Sequence, residues 1–292
     1  MDFTQKTYRI LLQALQAQGF SFITFEEYML QQSGRDLESH SDYTIILRHD
    51  VDQKPQNSLA TARLEHELGI KGSYYFRMVP ESFDVEIIKQ IASLGHEVGY
   101  HYETMDTASL RLNVKREKLN ERRKEELIDY AYNEFCENLG TFRKIYPVST
   151  ICMHGSPQSG FDNKDIWKKY DYKQLGLLGE PYFDIDFNDF FYLTDTGRCW
   201  NGYKYSVRDK MPQQERWVKE GLVFKTTNDI IKAAQNNKLP NQIMITVHPQ
   251  RWTNNYFEWT KELLSQRVKN IVKWGLIQLK HKELSLYRCS RF

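Results

Sequence analysis

Long apolar runs are missing from this 292-residue chain. Nowhere do about 18 apolar residues follow one another, so no membrane-spanning helix is expected. The first residues, Met1-Asp2-Phe3-Thr4-Gln5-Lys6, lack the basic start and apolar core of a secretory signal, and a cytoplasmic location is expected. An excess of charge of one sign is missing too. The 40 basic and 38 acidic residues are mixed along the chain and leave a formal net charge of +2, which argues against nucleic acid as a partner. Cysteine is scarce: Cys136, Cys152, Cys199 and Cys289 form no CxxC pair and read as free thiols rather than a thiolate metal site. No repeat, low-complexity segment or Pro/Gly/Ser linker divides the chain, so 1–292 reads as a single catalytic domain. It would carry an N-terminal helical segment, 1–40, and a C-terminal covering helix, 256–280.

A hydrophobic share of 40%, with 14% aromatics, is enough for one large core, and a single α/β barrel runs to about 250 residues. Apolar positions Tyr8, Leu11, Leu12 and Leu15 predict a helix over 7–19 that stops at Gly19. A second helix starts after Thr24, and Gln31 to Asp42 reads as a loop. Strands are predicted at Tyr43–Arg48, Gly72–Arg77 and Glu97–His101, alternating with helices over 56–69 and 84–95. That alternation implies a parallel sheet. A long charged helix is predicted from Leu110 to Leu139, further strands at Val148–Met153, Tyr182–Phe183, Phe190–Leu193 and Gln242–Val247, and a last helix over Tyr256–Leu279.

In parallel α/β folds, ligands gather where the carboxyl ends of the strands meet. Four of the predicted strands end in titratable groups: His49-Asp50-Val51-Asp52, His101-Tyr102-Glu103, His154-Gly155-Ser156-Pro157 and His248-Pro249. Asp50 and Asp52 would face the same way in extended backbone and repel each other unless a cation lay between them. His96 has the opposite parity to His101 and directly follows the capping Gly95, so it reads as structural. His248 ends a clean buried strand, and an imidazole there suits proton donation near neutral pH.

These motifs resemble the polysaccharide deacetylase family, also called carbohydrate esterase family four or the NodB-homology fold. Leu47-Arg48-His49-Asp50-Val51-Asp52 is similar to its paired-Asp motif, and Gly72-Ser73-Tyr74-Tyr75-Phe76 to its second strand. Gly95-His96-Glu97-Val98-Gly99-Tyr100-His101 resembles its most recognisable stretch, and Ile245-Thr246-Val247-His248 its last motif. The resemblance covers roughly residues 43 to 250 and implies a distorted (β/α) barrel of parallel strands with one divalent metal ion, zinc first among the choices.

By the same resemblance, Asp50 is the base and His248 the acid, with Asp52 and His101 as metal ligands; Val51 splits the usual Asp pair, so the two aspartates could exchange roles. Met105 stands where the family has its second ligand His. His154 is therefore taken as the third ligand, with Glu103 as the alternative. Arg77, Glu103, Asp195, Arg198, Trp200 and Arg251 are expected to line the substrate pocket. The implied activity is removal of an N-acyl group, N-acetyl foremost, from an amino sugar in polysaccharide, O-antigen or capsule biosynthesis. The substrate would be nucleotide- or lipid-linked. A metal amidohydrolase on a small non-sugar C–N substrate and an inactive carbohydrate-binding homologue are the alternatives. The basic, apolar last helix leaves room for peripheral membrane contact.

Overall fold

The computed structural model describes residues 1–34, 42–115, 119–155, 160–201 and 211–289, with side chains to 272. Ser156 and Pro157, part of the loop after His154, lie outside the described residues, as does most of the loop expected up to Asp42.

The chain opens with α1 (Gln5–Ala17), whose buried Tyr8, Leu11, Leu12 and Leu15 form the predicted stripe, and α2 (Phe25–Gln32), started by a Thr24/Glu27 capping box. Between them lies a short strand the sequence did not signal, β1 (Ser21–Ile23). Then β2 (Thr44–Val51), α3 (Pro55–Glu67), β3 (Ser73–Phe76), α4 (Val85–Ser93) and β4 (Glu97–Tyr102) follow the expected alternation. The second half adds α5 (Thr104–Arg111), α6 (Glu121–Arg143), β5 (Ile151–Met153), α7 (Pro181–Asp184), β6 (Phe191–Thr194), α8 (Gln214–Lys219), α9 (Thr227–Gln235), β7 (Gln242–Val247) and α10 (Tyr256–Cys289).

All the pairings are parallel, in the order β5-β4-β3-β2-β7-β6. Strand β2 is buried along its whole length, as its unbroken apolar and β-branched run requires of a strand covered on both faces. One edge of β2 pairs with β7; the other is shared end to end, β1 on Thr44–Ile46 and β3 on Arg48–Val51.

The sheet is curled. Strands three places apart in a flat sheet lie ~14 Å from each other. Yet His154 Nε2, just past β5, is 3.6 Å from Asp52 Oδ1, just past β2. His248 Nε2, past β7 on the other side of β2, is 3.9 Å from Asp52 Oδ2. The result is the expected distorted (β/α) barrel, and among the described residues no pairing closes β5 onto β6.

Two predicted elements differ. Tyr182–Phe183 lie in helix α7, not a strand: Pro181 occupies its first turn, and the Glu180 carboxylate caps it by accepting from the Tyr182 backbone N–H at 2.7 Å. The single helix expected over 110–139 is two. Helix α5 starts earlier, at Thr104, and ends where Asn113 takes a left-handed φ of 49°. Helix α6 begins afresh after Asn120, whose side chain accepts from Arg123 N at 2.9 Å, and runs through Gly140 to Arg143.

Candidate metal centre

Side-chain parity sorts the strand ends. On β2, Arg48 and Asp50 share one face, and the guanidinium grips both Asp50 oxygens, Nε to Oδ1 and Nη2 to Oδ2, each at 2.9 Å. The pair is almost fully buried. Burial disfavours the charged carboxyl, but Arg48, His101 and His248 outweigh it and hold the Asp50 carboxyl well below the usual carboxylate range.

Asp52 lies just beyond the strand. Its Oδ2 accepts from Gln250 Nε2 at 2.9 Å, while its Oδ1 is buried with no hydrogen-bond partner. Around that oxygen stand His154 Nε2 at 3.6 Å and His101 Nε2 at 3.7 Å. Four ligands held at ~2.0–2.1 Å in a tetrahedron are separated by about 3.3 Å. Both separations from Asp52 Oδ1 are thus within a few tenths of an ångström of a ligand set, the donor atoms of the three residues all lie within 4.8 Å of one another, and an acceptor-only oxygen facing two imidazole nitrogens is what a divalent cation satisfies. A second group, Asp50, His101 and Cys152, also brings its donor atoms within 4.8 Å of one another. Arg48 already occupies both Asp50 oxygens, so the Asp52 group fits an ion better.

The remaining contacts orient these side chains. His101 Nδ1 lies 2.9 Å from the Cys152 carbonyl on the neighbouring strand β5, which calls for the proton on Nδ1 and leaves the Nε2 lone pair free. Burial, the largest influence, pushes the His101 pKa down to about 4, so the ring is neutral and competent to bind metal at neutral pH. His154 Nδ1 is 3.1 Å from Glu103 Oε2. Glu103 is itself held by Arg77 Nε at 3.1 Å and Nη2 at 2.8 Å, while Arg77 Nη1 donates to the Asp52 carbonyl at 3.0 Å. Against the effect of burial, His154 and Arg77 lower the Glu103 pKa to about 2.

His248 Nδ1 is 2.6 Å from Asp195 Oδ1. Asp195 is fully buried and also accepts from Arg251 Nη1 at 2.8 Å and Trp252 Nε1 at 2.7 Å. These contacts fix the ring and direct Nε2 towards Asp52.

Asp50, Asp52, His101, His154 and His248 thus meet at one point. Of the residues expected in the substrate pocket, Arg77, Glu103, Asp195 and Arg251 surround that point, each tied by at least one polar contact to the cluster itself. Arg198 and Trp200 are not brought to it. Arg198 donates to the Trp259 carbonyl at 2.8 Å and stacks on the Trp259 ring; buried Trp200 donates to Thr227 Oγ1 at 2.9 Å. His96 bridges β3 and α3, with Nδ1 accepting from Gly72 N–H at 3.1 Å and Nε2 placed 2.9 Å from the Ala62 carbonyl.

Arg48 and Gln250 were missed by sequence reasoning. The signal for Arg48 was its parity with Asp50; for Gln250, past Pro249, there was none.

No family model matches this chain, and no curated protein does. Among solved structures it is similar to a CE4 family pseudoenzyme from Bacillus anthracis, at 13% identity and a TM-score of 0.40, covering 78% of this chain and 60% of that one. It is also similar to a polysaccharide deacetylase from Bacillus cereus, at 15% identity and a TM-score of 0.38, covering 78% of this chain and 88% of that one. The chain thus spans about three fifths of the pseudoenzyme's length.

Proposed function

We propose that this chain is a metal-dependent deacetylase that removes an N-acyl group from an amino sugar. The observation that carries the reading is the buried, unpaired Asp52 Oδ1 facing His101 Nε2 and His154 Nε2, with Asp50 and His248 to either side. Asp52, His101 and His154 would hold the ion; when bound, a divalent cation supplies Lewis-acid polarisation of the acyl carbonyl and acidifies water. Asp50, kept ionised by Arg48, accepts the proton of the attacking water. His248, oriented by Asp195, delivers a proton from Nε2 to the departing amine. Zinc suits a site of two imidazoles and a carboxylate.

The class of substrate follows from the resemblance of the strand-end motifs, and a nucleotide- or lipid-linked sugar made for surface polysaccharide fits a cytoplasmic enzyme. Among the described residues no helix is long and apolar enough to cross a membrane.

Metal analysis of the purified protein beside Asp52→Ala, His101→Ala and His154→Ala tests the site, and acetate release from N-acetylated amino sugars tests the reaction. Stoichiometric metal in the wild type, lost in all three variants, together with acetate release, is expected. A wild type that binds no divalent ion would overturn the reading in favour of a non-catalytic homologue, and release of ammonia or acid only from small cyclic amides would favour the amidohydrolase.

A further inference from the structure

Helix α10 sits on the body with its polarity reversed. At ~100° per residue, Glu262, Gln266 and Asn270 fall on one side together with Trp259 and Leu263. That side is the docked one. Gln266 and Glu262 are buried and bonded to each other at 2.9 Å, Asn270 Nδ2 donates to the Gly197 carbonyl at 2.9 Å, and Trp259 Nε1 donates to the Asp2 carbonyl at 2.7 Å. On the opposite side, within about 60° of one line, lie Phe257, Leu264, Val268, Ile271 and Val272. They are 76%, 58%, 62%, 69% and 56% exposed. An amphipathic helix that only covered a barrel would turn this stripe inward.

We infer that the outward face of α10 is a docking surface for an anionic lipid bilayer, into which Phe257, Leu264, Val268 and Ile271 insert. Two observations select this occupant over another helix. First, Phe257, Leu264 and Ile271 repeat every seven residues, but the intervening seam positions are Thr260 and Arg267 in one phase and Lys261, Val268 and Gly275 in the other, so no apolar a/d seam is sustained over the roughly three or more heptads that a coiled coil needs. Second, the charge is complementary. At the same ~100° per residue Lys261 falls within the stripe, with Arg267 about 40° and Lys269 about 60° outside it; all three are exposed, so their stems can lie along the helix while the cations reach lipid phosphates. Over Tyr256–Cys289 the helix carries seven basic and three acidic residues, a net +4, against +2 for the whole chain, so the rest of the molecule is slightly acidic. This surface is separate from the candidate metal centre and does not depend on the deacetylase reading.

Co-sedimentation with phosphatidylcholine vesicles, with and without phosphatidylglycerol, tests the inference. Three cations near an anionic surface should raise binding to the phosphatidylglycerol vesicles by at least about tenfold, and added salt should reverse the gain. Leu264→Glu with Ile271→Glu should cut binding at least about tenfold, with unchanged circular dichroism and melting temperature because both sites are exposed. Lys261→Gln with Arg267→Gln and Lys269→Gln leaves the stripe intact and should lower binding to the anionic vesicles alone. Equal, weak partition of the wild type to both vesicle types would overturn the proposal. So would a reversible dimer in sedimentation velocity that the Leu264/Ile271 variant abolishes while vesicles bind neither protein, since the stripe would then cover a second copy.

Discussion

Asp50 and Asp52 stand two residues apart at the end of β2, yet Arg48 closes both oxygens of Asp50 while Asp52 keeps Oδ1 buried and unpaired between His101 and His154. The two carboxylates therefore have different capacities. Asp50 is a fixed anion; Asp52 has an acceptor still to be satisfied.

If Asp50 is the base and not a ligand, Asp50→Asn will retain the metal and lose turnover by at least about a hundredfold. The substitution also leaves the Arg48 charge buried without its partner, which costs about 3–5 kcal/mol of stability. Combining it with Arg48→Met, of similar length and no charge, should restore the melting temperature but not the turnover. Loss of the ion in the double variant, measured by metal analysis, would reassign Asp50 as a ligand.

In the proposed site Glu103 would act through His154, whose Nδ1 it meets at 3.1 Å. Glu103→Gln should weaken metal affinity roughly 10- to 100-fold, the usual effect of removing a carboxylate behind a ligating imidazole. Metal-competition titration reads this directly. A purely structural role would lower the melting temperature of the metal-free protein and leave affinity unchanged.

Glu97, at the opposite end of β4 from the metal centre, gives the fold a pH dependence. Burial raises its pKa to about 7 from 4.5, despite hydrogen bonds from Ser73 Oγ at 2.5 Å, Glu26 N–H at 2.9 Å and Thr150 Oγ1. The folded state thus holds a proton that the unfolded state releases. The stability this represents is complete below pH 4.5 and is lost as pH rises through about 7, on the order of 3 kcal/mol in all. Glu97→Gln keeps an acceptor for Ser73 and Glu26 and a donor for Thr150, and should flatten this part of the melting-temperature profile. An unchanged slope between pH 5 and 7 would place the ionisation elsewhere, Glu180 being next, since burial raises its pKa to about 7 as well.

The sheet was legible in the sequence because β2 and β7 are short apolar or β-branched runs, because β4 follows closely on the helix-capping Gly95, and because the helices between the strands carry regular stripes. Helix α7 was misread because two aromatics in a row look like a strand until Pro181 and the Glu180 cap are weighed. Strand β1, at three residues, is too short to show a period. Arg198 and Trp200 shared a motif-like stretch with Asp195, but only Asp195 joins the cluster; its neighbours turn to α10 and α9.

By itself the sequence determined the parallel α/β architecture and the polar groups at the strand ends, since periodicity and parity act over a few neighbouring residues. Only the tertiary structure decided that β5 and β7 approach Asp52 from opposite sides, that the donor atoms of His154 gather with those of Asp52 and His101 while Glu103 pairs with Arg77, and that Arg77 and Arg251 hold carboxylates of the cluster. Those outcomes depend on the curl of the sheet, a sum of small twists over six strands that no local stretch of sequence encodes.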